Sequence, residues 1–363
     1  MATTQGKAKG TRTGKGDRRA RAAAGDATAL FELAQAEMPK NPKRAVAWLR
    51  AAVEAGYAPA MVELAWCLAE GVGARRDRKA AAALTLRAAR LGDPLAQLNA
   101  FAVLEHGLGM TADPKAARRW LERAAASGLS LAQVELADRL LQAGSPASKR
   151  RAVRWLEAAA RAGDPEAQWH LGLLHEQGDA VPRSARKAVG YYRKAARQGD
   201  PVAQLSLGLL LQAGDGARRD PRAAVALFRE AAAAGLAEAQ AVLGDCYQGG
   251  EGVRQNARQA LRWYGLAADQ GEVAAMSALG LMLVLGQGVE SAPAAGLRWL
   301  RKAATQDDGD AHYYLGVLHL TGQGVKTDHA RGLRHMLRAA ELGDDEAVEV
   351  LAALEAAGAS ARG

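Results

Sequence analysis

DPVAQLSLGLLLQAGDGARRDPRAAVALFREAAAAG, residues Asp200 to Gly235, spells two helices end to end. Asp200-Pro201 opens the first, with a carboxylate that can accept from the free amides of the first turn and then a residue that has no amide to leave unpaired. Gly214-Asp215-Gly216 closes it. Asp220-Pro221 opens the second in the same way, and the alanines from Ala231 to Ala234 end at Gly235, which tolerates left-handed backbone angles. The stretch therefore reads as a helical hairpin.

Its landmarks recur along the chain. A closing glycine stands at Gly56, Gly92, Gly128, Gly163, Gly199, Gly235, Gly271 and Gly343, at intervals of 36 residues with one interval of 35. Only the eighth slot departs: Asp307 occupies it, so either strain or a rerouted turn is expected there. The short interval coincides with Gly144-Ser145-Pro146-Ala147-Ser148, which replaces the G-x-G loop and marks residues 144 to 150 as the expected irregularity. Each first helix carries a Leu-Gly or Leu-Ala pair, such as Leu207-Gly208. A glycine inside a helix costs about 1 kcal/mol against alanine, so its reuse implies a close packing contact. Phe101 breaks that small-residue slot. Each second helix carries a large residue eight before the closing glycine (Trp48, Trp120, Tyr191, Trp263 and their equivalents), expected in the core, and an Ala-Ala pair against which the next hairpin stacks.

These repeats predict an all-α protein: a right-handed α-solenoid, or superhelix, of about nine helix-turn-helix repeats of roughly 36 residues. The solenoid is expected over residues 27–357, with the first hairpin and a last helix from Asp345 to about Ala357 as caps. Residues 1–26 are expected to form a disordered basic tail, and 358–363 a flexible C-terminus. Of the formal charge of +9, residues 1–26 contribute +5, so the array itself is only mildly basic, which argues against a dedicated nucleic-acid binder. No apolar run suits a signal peptide or a membrane span, and Cys67 and Cys246 lie too far apart to form a disulfide within a solenoid. Both point to the cytoplasm.

The combination of Leu279-Gly280, Gly286-Gln287-Gly288-Val289 and Lys302-Ala303-Ala304, repeated in copy after copy, resembles the Sel-one-like repeat (SLR) family, relatives of the tetratricopeptide repeats. The resemblance implies an adaptor or scaffold, since SLR proteins hold partners together in settings from membrane-associated degradation complexes to bacterial signalling. Cysteine-rich members carry a Cys pair in each repeat, which this chain lacks. Some members have been linked to penicillin-recognising activity, and Ser184-Ala185-Arg186-Lys187 matches an S-x-x-K. However, no S-D-N accompanies it and Lys326-Thr327-Asp328 lacks the glycine of K-T-G, so Ser184 reads as a helix cap.

No catalytic constellation emerges, and no cofactor or metal is expected. The G-x-G loops follow helices and lack the Lys-Ser/Thr of a phosphate loop. His175 and His319 hold a slot that is Leu or Tyr in other copies, which indicates packing, and His170 and His175 point apart. The face of the first helices away from the packing slots is more informative. Positions six, ten and thirteen past the closing glycine form one stripe, and if this face lines the concave side it is the partner-binding surface. The candidates along it are Trp66, Trp169, Leu173, Leu205, Leu209, Asp245, Leu281, Tyr313 and Val317, with Asp138, Glu176, Gln212 and Gln248 at the rim. Either the stripe is buried by curvature or it forms a groove for a protein or peptide partner. The second functional reading is a nucleic-acid or acidic partner held with the help of the basic tail.

Overall fold

A computed structural model of the chain describes residues 13–360. Among them the secondary structure is helical throughout: α1 (Thr13–Ala23), then nine hairpins and a last helix. The hairpins are α2 (Ala27–Glu37) with α3 (Pro42–Glu54), α4 (Ala58–Glu70) with α5 (Arg78–Arg90), α6 (Pro94–His106) with α7 (Pro114–Ala126), and α8 (Ser130–Gln142) with α9 (Pro146–Arg161). They continue with α10 (Pro165–Gln177) and α11 (Ala185–Ala196), α12 (Pro201–Ala213) and α13 (Pro221–Ala233), and α14 (Ala237–Gly249) and α15 (Ala257–Asp269). The series closes with α16 (Val273–Leu285) and α17 (Pro293–Ala304), α18 (Gly309–Thr321) and α19 (His329–Glu341), and finally α20 (Asp345–Ser360). The fold is an all-α solenoid. By contacts it divides into two compact units, Met1–Ala167 and Gln168–Gly363.

The caps form as the sequence requires. Asp200 Oδ1 accepts from the Ala203 amide at 2.7 Å, and Asp220 Oδ1 from the Ala223 amide at 3.0 Å. Asp307 keeps the turn of a closing glycine rather than rerouting it: it stands at φ 55°, strained for a residue with a Cβ, and its carboxylate meets Arg338 at 2.6 Å. The irregular segment resolves into an early helix start. Ser145 caps α9 through Ser148, and α9 runs 16 residues where its counterparts run 12 or 13.

Packing inside each hairpin is set one residue away from the expected slot. The large residues eight before the closing glycine are only half-buried in every repeat. The fully buried side chain is the next one: Leu49, Leu121, Leu156, Tyr192, Phe228, Tyr264, Leu300 and Met336 are all at 0 or 1% exposure. Those side chains explain the small-residue slot of the first helix. A Cβ on Gly172 would lie 2.4 Å from the Tyr192 ring, on Gly208 2.4 Å from Phe228, and on Gly244 2.6 Å from Tyr264. Phe101, where the slot is not small, is buried and turns its ring beneath the Arg139 guanidinium, 4.6 Å away. The alanine four before each closing glycine is at 0% exposure in all nine repeats, from Ala52 to Ala339.

Between hairpins, a glutamine five past the closing glycine acts as a clamp. Gln133 Nε2 donates to the Ala125 carbonyl and Gln240 Nε2 to the Ala232 carbonyl, both at 3.1 Å, and so ties a first helix to the preceding second helix. The second glycine of the G-x-G loop does equivalent work at the other end: a Cβ on Gly252 would sit 2.2 Å from the Pro221 carbonyl oxygen, so the loop rests directly on the first turn of α13.

Both ends depart from expectation. The basic segment is not unstructured over residues 13–23. There α1 tucks Ala22 into the core at 5% exposure, and Arg18 pairs with Glu32 at 2.8 Å and Arg21 with Asp26 at 2.6 Å. The rest of the expected tail, residues 1–12, lies outside the described residues. At the other end α20 continues through Gly358 to Ser360, beyond the expected stop at Ala357, because the surrounding alanines favour helix; residues 361–363 lie outside the described residues.

Candidate functional site

Pro and Asp at the hairpin openings fix where each first helix starts, so positions six, ten and thirteen past the closing glycine fall in register from repeat to repeat. The structure separates these rows by burial. The row at position six lies in the seam between neighbouring first helices. Within the second unit, Trp169 donates from Nε1 to Ser206 Oγ at 3.1 Å, and Ser277 Oγ donates to Asp308 Oδ1 at 2.7 Å. Leu205, at 3% exposure, belongs to the core with Phe228 and Leu243, so its expected role as a partner contact is corrected: it holds α12 to its neighbours. Val134 is buried likewise, and Tyr313 is half-buried against the cluster around Met336 and Ala347.

The row at position ten is the crest. Trp66 is 39% exposed and Leu209 41% exposed. Asp245 is exposed, and Leu173, Leu281 and Val317 are half-buried. In the second unit this crest reads Leu173, Leu209, Asp245, Leu281, Val317, four apolar side chains around one carboxylate. In the first unit Trp66 holds the equivalent place, with Ala102 and Asp138 after it. The row at position thirteen is mixed: Glu105, Glu176, Gln212 and Gln248 are polar and half-buried, Leu141 and Leu320 are apolar and half-buried, and Val284 is buried at 4%.

The buried tyrosines of the second helices reach this surface from beneath. Because Gly172 and Gly244 leave room for their rings, the hydroxyl of Tyr192 donates to Glu176 Oε2 at 2.5 Å. That of Tyr264 lies 2.6 Å from Asp245 Oδ1 and 2.7 Å from Gln248 Oε1. Burial, and then the adjoining carboxylate, push both phenols above their ordinary range. Asp245 is itself raised by desolvation, which the Tyr264 hydrogen bond only partly opposes. Glu176 and Asp245 are thus each positioned by a hydroxyl that cannot titrate near neutral pH.

The remaining sequence candidates fall into structural roles. Ser184 Oγ accepts from the Lys187 amide and caps α11. His175 is buried, with Nδ1 3.2 Å from the Pro182 carbonyl and its ring stacked on Tyr191. His312 stands in the clamp slot and meets His335 Nδ1 to Nδ1 at 3.0 Å, while His319 stacks on His335. Burial, followed by the His312 and His319 charges, lowers His335 to about 4. Among the described residues no group of three or more His, Cys, Asp or Glu is arranged to hold a metal. Cys67 and Cys246 are free and buried, and burial raises both thiols to about 11.

A feature that net charge conceals appears when the helices are sorted by layer. The nine first helices, α2 to α18, carry twelve Asp or Glu and a single basic residue, Arg139. The nine second helices, α3 to α19, carry thirty Lys or Arg against six Asp or Glu. The signal was present in the sequence, since the hairpin boundaries were readable, but it emerges only when charge is counted helix by helix.

The Sel1 repeat model matches nine consecutive segments, 21–57, 58–93, 94–129, 130–164, 165–200, 201–236, 237–272, 273–308 and 309–344. The chain belongs to the Sel1 repeat family. Sel1 repeat proteins are generally protein-interaction scaffolds. Among solved structures, the chain is similar to a protective antigen of uropathogenic Escherichia coli strains that displays an SLR fold, at 27% identity and TM-score 0.53, covering 90% of this chain and 79% of that one. It is also similar to a Sel1 repeat protein from Oxalobacter formigenes, at 26% identity and TM-score 0.46, covering 95% and 91% of the two chains. No curated protein sequence matches it. Among the described residues no helix is long and apolar enough to cross a membrane.

Proposed function

We propose that this Sel1 repeat protein is a non-catalytic adaptor that captures a protein partner on its first-helix surface, along the crest of the second unit. The observation that carries this reading is the crest itself: Leu173, Leu209 and Leu281 stand out of the packing seam with Asp245 among them, and Val317 continues the row while packing against the cluster around Met336. The five first helices from α10 to α18 carry no Lys or Arg at all. Apolar side chains in register and a tyrosine-positioned carboxylate, on helices that carry no Lys or Arg of their own, suit an amphipathic segment that presents apolar anchors and a Lys or Arg. Ser184 is committed to a cap and His175, His312, His319 and His335 to packing, and none of them supports a hydrolytic reading.

The test uses the crest rather than the aromatic residues of the seam. Trp169 and Tyr313 are tied into packing, so removing either would disturb the stack. Leu209→Asp together with Leu281→Asp places charge on the crest without entering the core. Capture from the native cell, quantified by mass spectrometry, is expected to lose its specific partners in this variant and to keep them in Leu266→Asp, an exposed position on α15. Equal capture by both variants would rule the crest out.

A further inference from the structure

The second-helix layer contains a cavity of about 650 Å³ within the second unit, bounded by α11, the end of α12, the loop from α12 to α13, the first turn of α13 and Gly252 of the loop after α14. Four arginines line it: Arg193 from α11, Arg218 and Arg219 from the loop, and Arg222 from α13. We propose that this cavity is a binding site for a small oligophosphate anion, held by Arg193, Arg218 and Arg222.

The arginines are not equivalent. Arg219 is occupied: its Nε donates to the Gln212 carbonyl at 2.9 Å, and its Nη2 pairs with Glu251. Asp220, the single acid in the lining, spends Oδ1 on the Ala223 amide as the cap of α13. Arg193, Arg218 and Arg222 are exposed and form no ion pair among the described residues. Three unmatched guanidiniums facing one hollow repel one another and create a local field that an anion relieves. Their planar forks suit phosphate oxygens bidentately, in a way that a lysine cluster would not.

Size and lining narrow the ligand. The volume lies within the range of about 300–1,000 Å³ typical of small-molecule sites, and it exceeds what one phosphate group fills. Asp220 keeps its charge in the lining, but the three unpaired guanidiniums come from separate points around the hollow, so each can meet a different phosphate group of a linked chain. The apolar part of the lining is Leu211, Ala217 and Pro221, with no aromatic ring on which a base could stack, so recognition falls on the phosphates. The cavity also lies in the layer with thirty basic side chains, which raises the local concentration of any polyanion before it docks.

The experiment is calorimetric titration of the full chain with inorganic tripolyphosphate, with orthophosphate and sulfate titrated at matched ionic strength. Saturable binding at one site per chain is expected, with orthophosphate and sulfate weaker by about tenfold or more. Arg218→Gln and Arg222→Gln are each expected to weaken tripolyphosphate by about tenfold, and Arg218→Lys to fall between Arg218→Gln and the parent, because it keeps the charge and loses the fork. Arg298→Gln, an equal loss of charge elsewhere in the same layer, is expected to leave the affinity unchanged. All four substitutions are at exposed positions, and an unchanged melting profile verifies folding. Absence of saturable binding overturns the proposal, as does an equal loss in Arg298→Gln. Tighter binding of a single-stranded oligonucleotide, insensitive to Arg218→Gln, would also overturn it by assigning the charge to nucleic acid across the layer.

Discussion

The two units solve the same packing problem with different residues. In the first unit the small-residue slot of the first helix holds Ala65, Phe101 and Ala137, and the fully buried position of the matching second helix holds Thr85, Leu121 and Leu156. In the second unit the slot is Gly172, Gly208, Gly244, Gly280 and Gly316 without exception, and the matching positions are Tyr192, Phe228, Tyr264, Leu300 and Met336. One unit fills the hairpin from both sides, while the other empties the first helix and fills the space from the second. Only the second arrangement lets a tyrosine hydroxyl pass beneath the first helix and reach Glu176 or Asp245 at the candidate surface. A glycine inside a helix, unfavourable by about 1 kcal/mol on propensity alone, is in this case part of how the surface is positioned.

The largest effect expected from this comparison is at the buried position itself. Phe228→Ala should destabilise the second unit by about 3–5 kcal/mol, the range for deleting a buried aromatic. Leu227→Ala, at the half-buried neighbour, should cost about 1 kcal/mol. Denaturant unfolding of the two variants checks the one-residue shift directly, and equal losses would break it.

Next is the glycine slot. Gly208→Ala gains helix propensity but drives a methyl into the Phe228 ring, so a net loss of about 1–3 kcal/mol is expected, and adding Phe228→Leu should restore most of it. Ala137→Gly, the reverse change in the first unit, should cost about 1 kcal/mol and find no second-site rescue in Leu156. Stabilisation by Gly208→Ala would show that the close approach of ring and helix is not what keeps the glycine.

A smaller difference is in pH response. His335 is lowered from 6.5 to about 4, so over that interval the unfolded chain binds a proton that the folded chain does not. Stability therefore falls as pH drops from about 6.5 through about 4, and it is fully present above that window. The groups facing His335 are His312 and His319 on α18, Arg301 on α17 and Arg334 on α19, and every one of them opposes its protonation. Hydrogen exchange at pH 5 and pH 7 should show the loss in α18 and α19 but not in the hairpins of the first unit, and His335→Leu should abolish it.

Much of the architecture was legible because the glycines and Asp-Pro caps punctuate each repeat: each closing glycine, and Asp307 in the eighth slot, stands one residue before the end of a matched repeat. The core was legible only to within one residue. Tyr and Leu occur at both neighbouring positions, and Trp, the bulkiest residue, falls only at the half-buried one, so bulk alone does not reveal which of two adjacent side chains points inward. The glycine opposite Tyr192 or Phe228 does reveal it, once the hairpin is folded. The clamp glutamines went unread because a buried glutamine looks like a surface residue until its carbonyl partner is known. For the candidate surface, periodicity supplied the right face but not the split into seam and crest. That split depends on the neighbouring first helix, which took Leu205 out of the surface and left Leu209 on it.

The adaptor reading rests on the crest, and site-specific photo-crosslinking in the native cell tests it most directly. A photoreactive residue at Leu209 is expected to form a discrete crosslinked species with a partner protein, whereas the same residue at Leu266 on α15 should give only background. Crosslinks from Leu266 alone, or equally from both positions, would contradict the account.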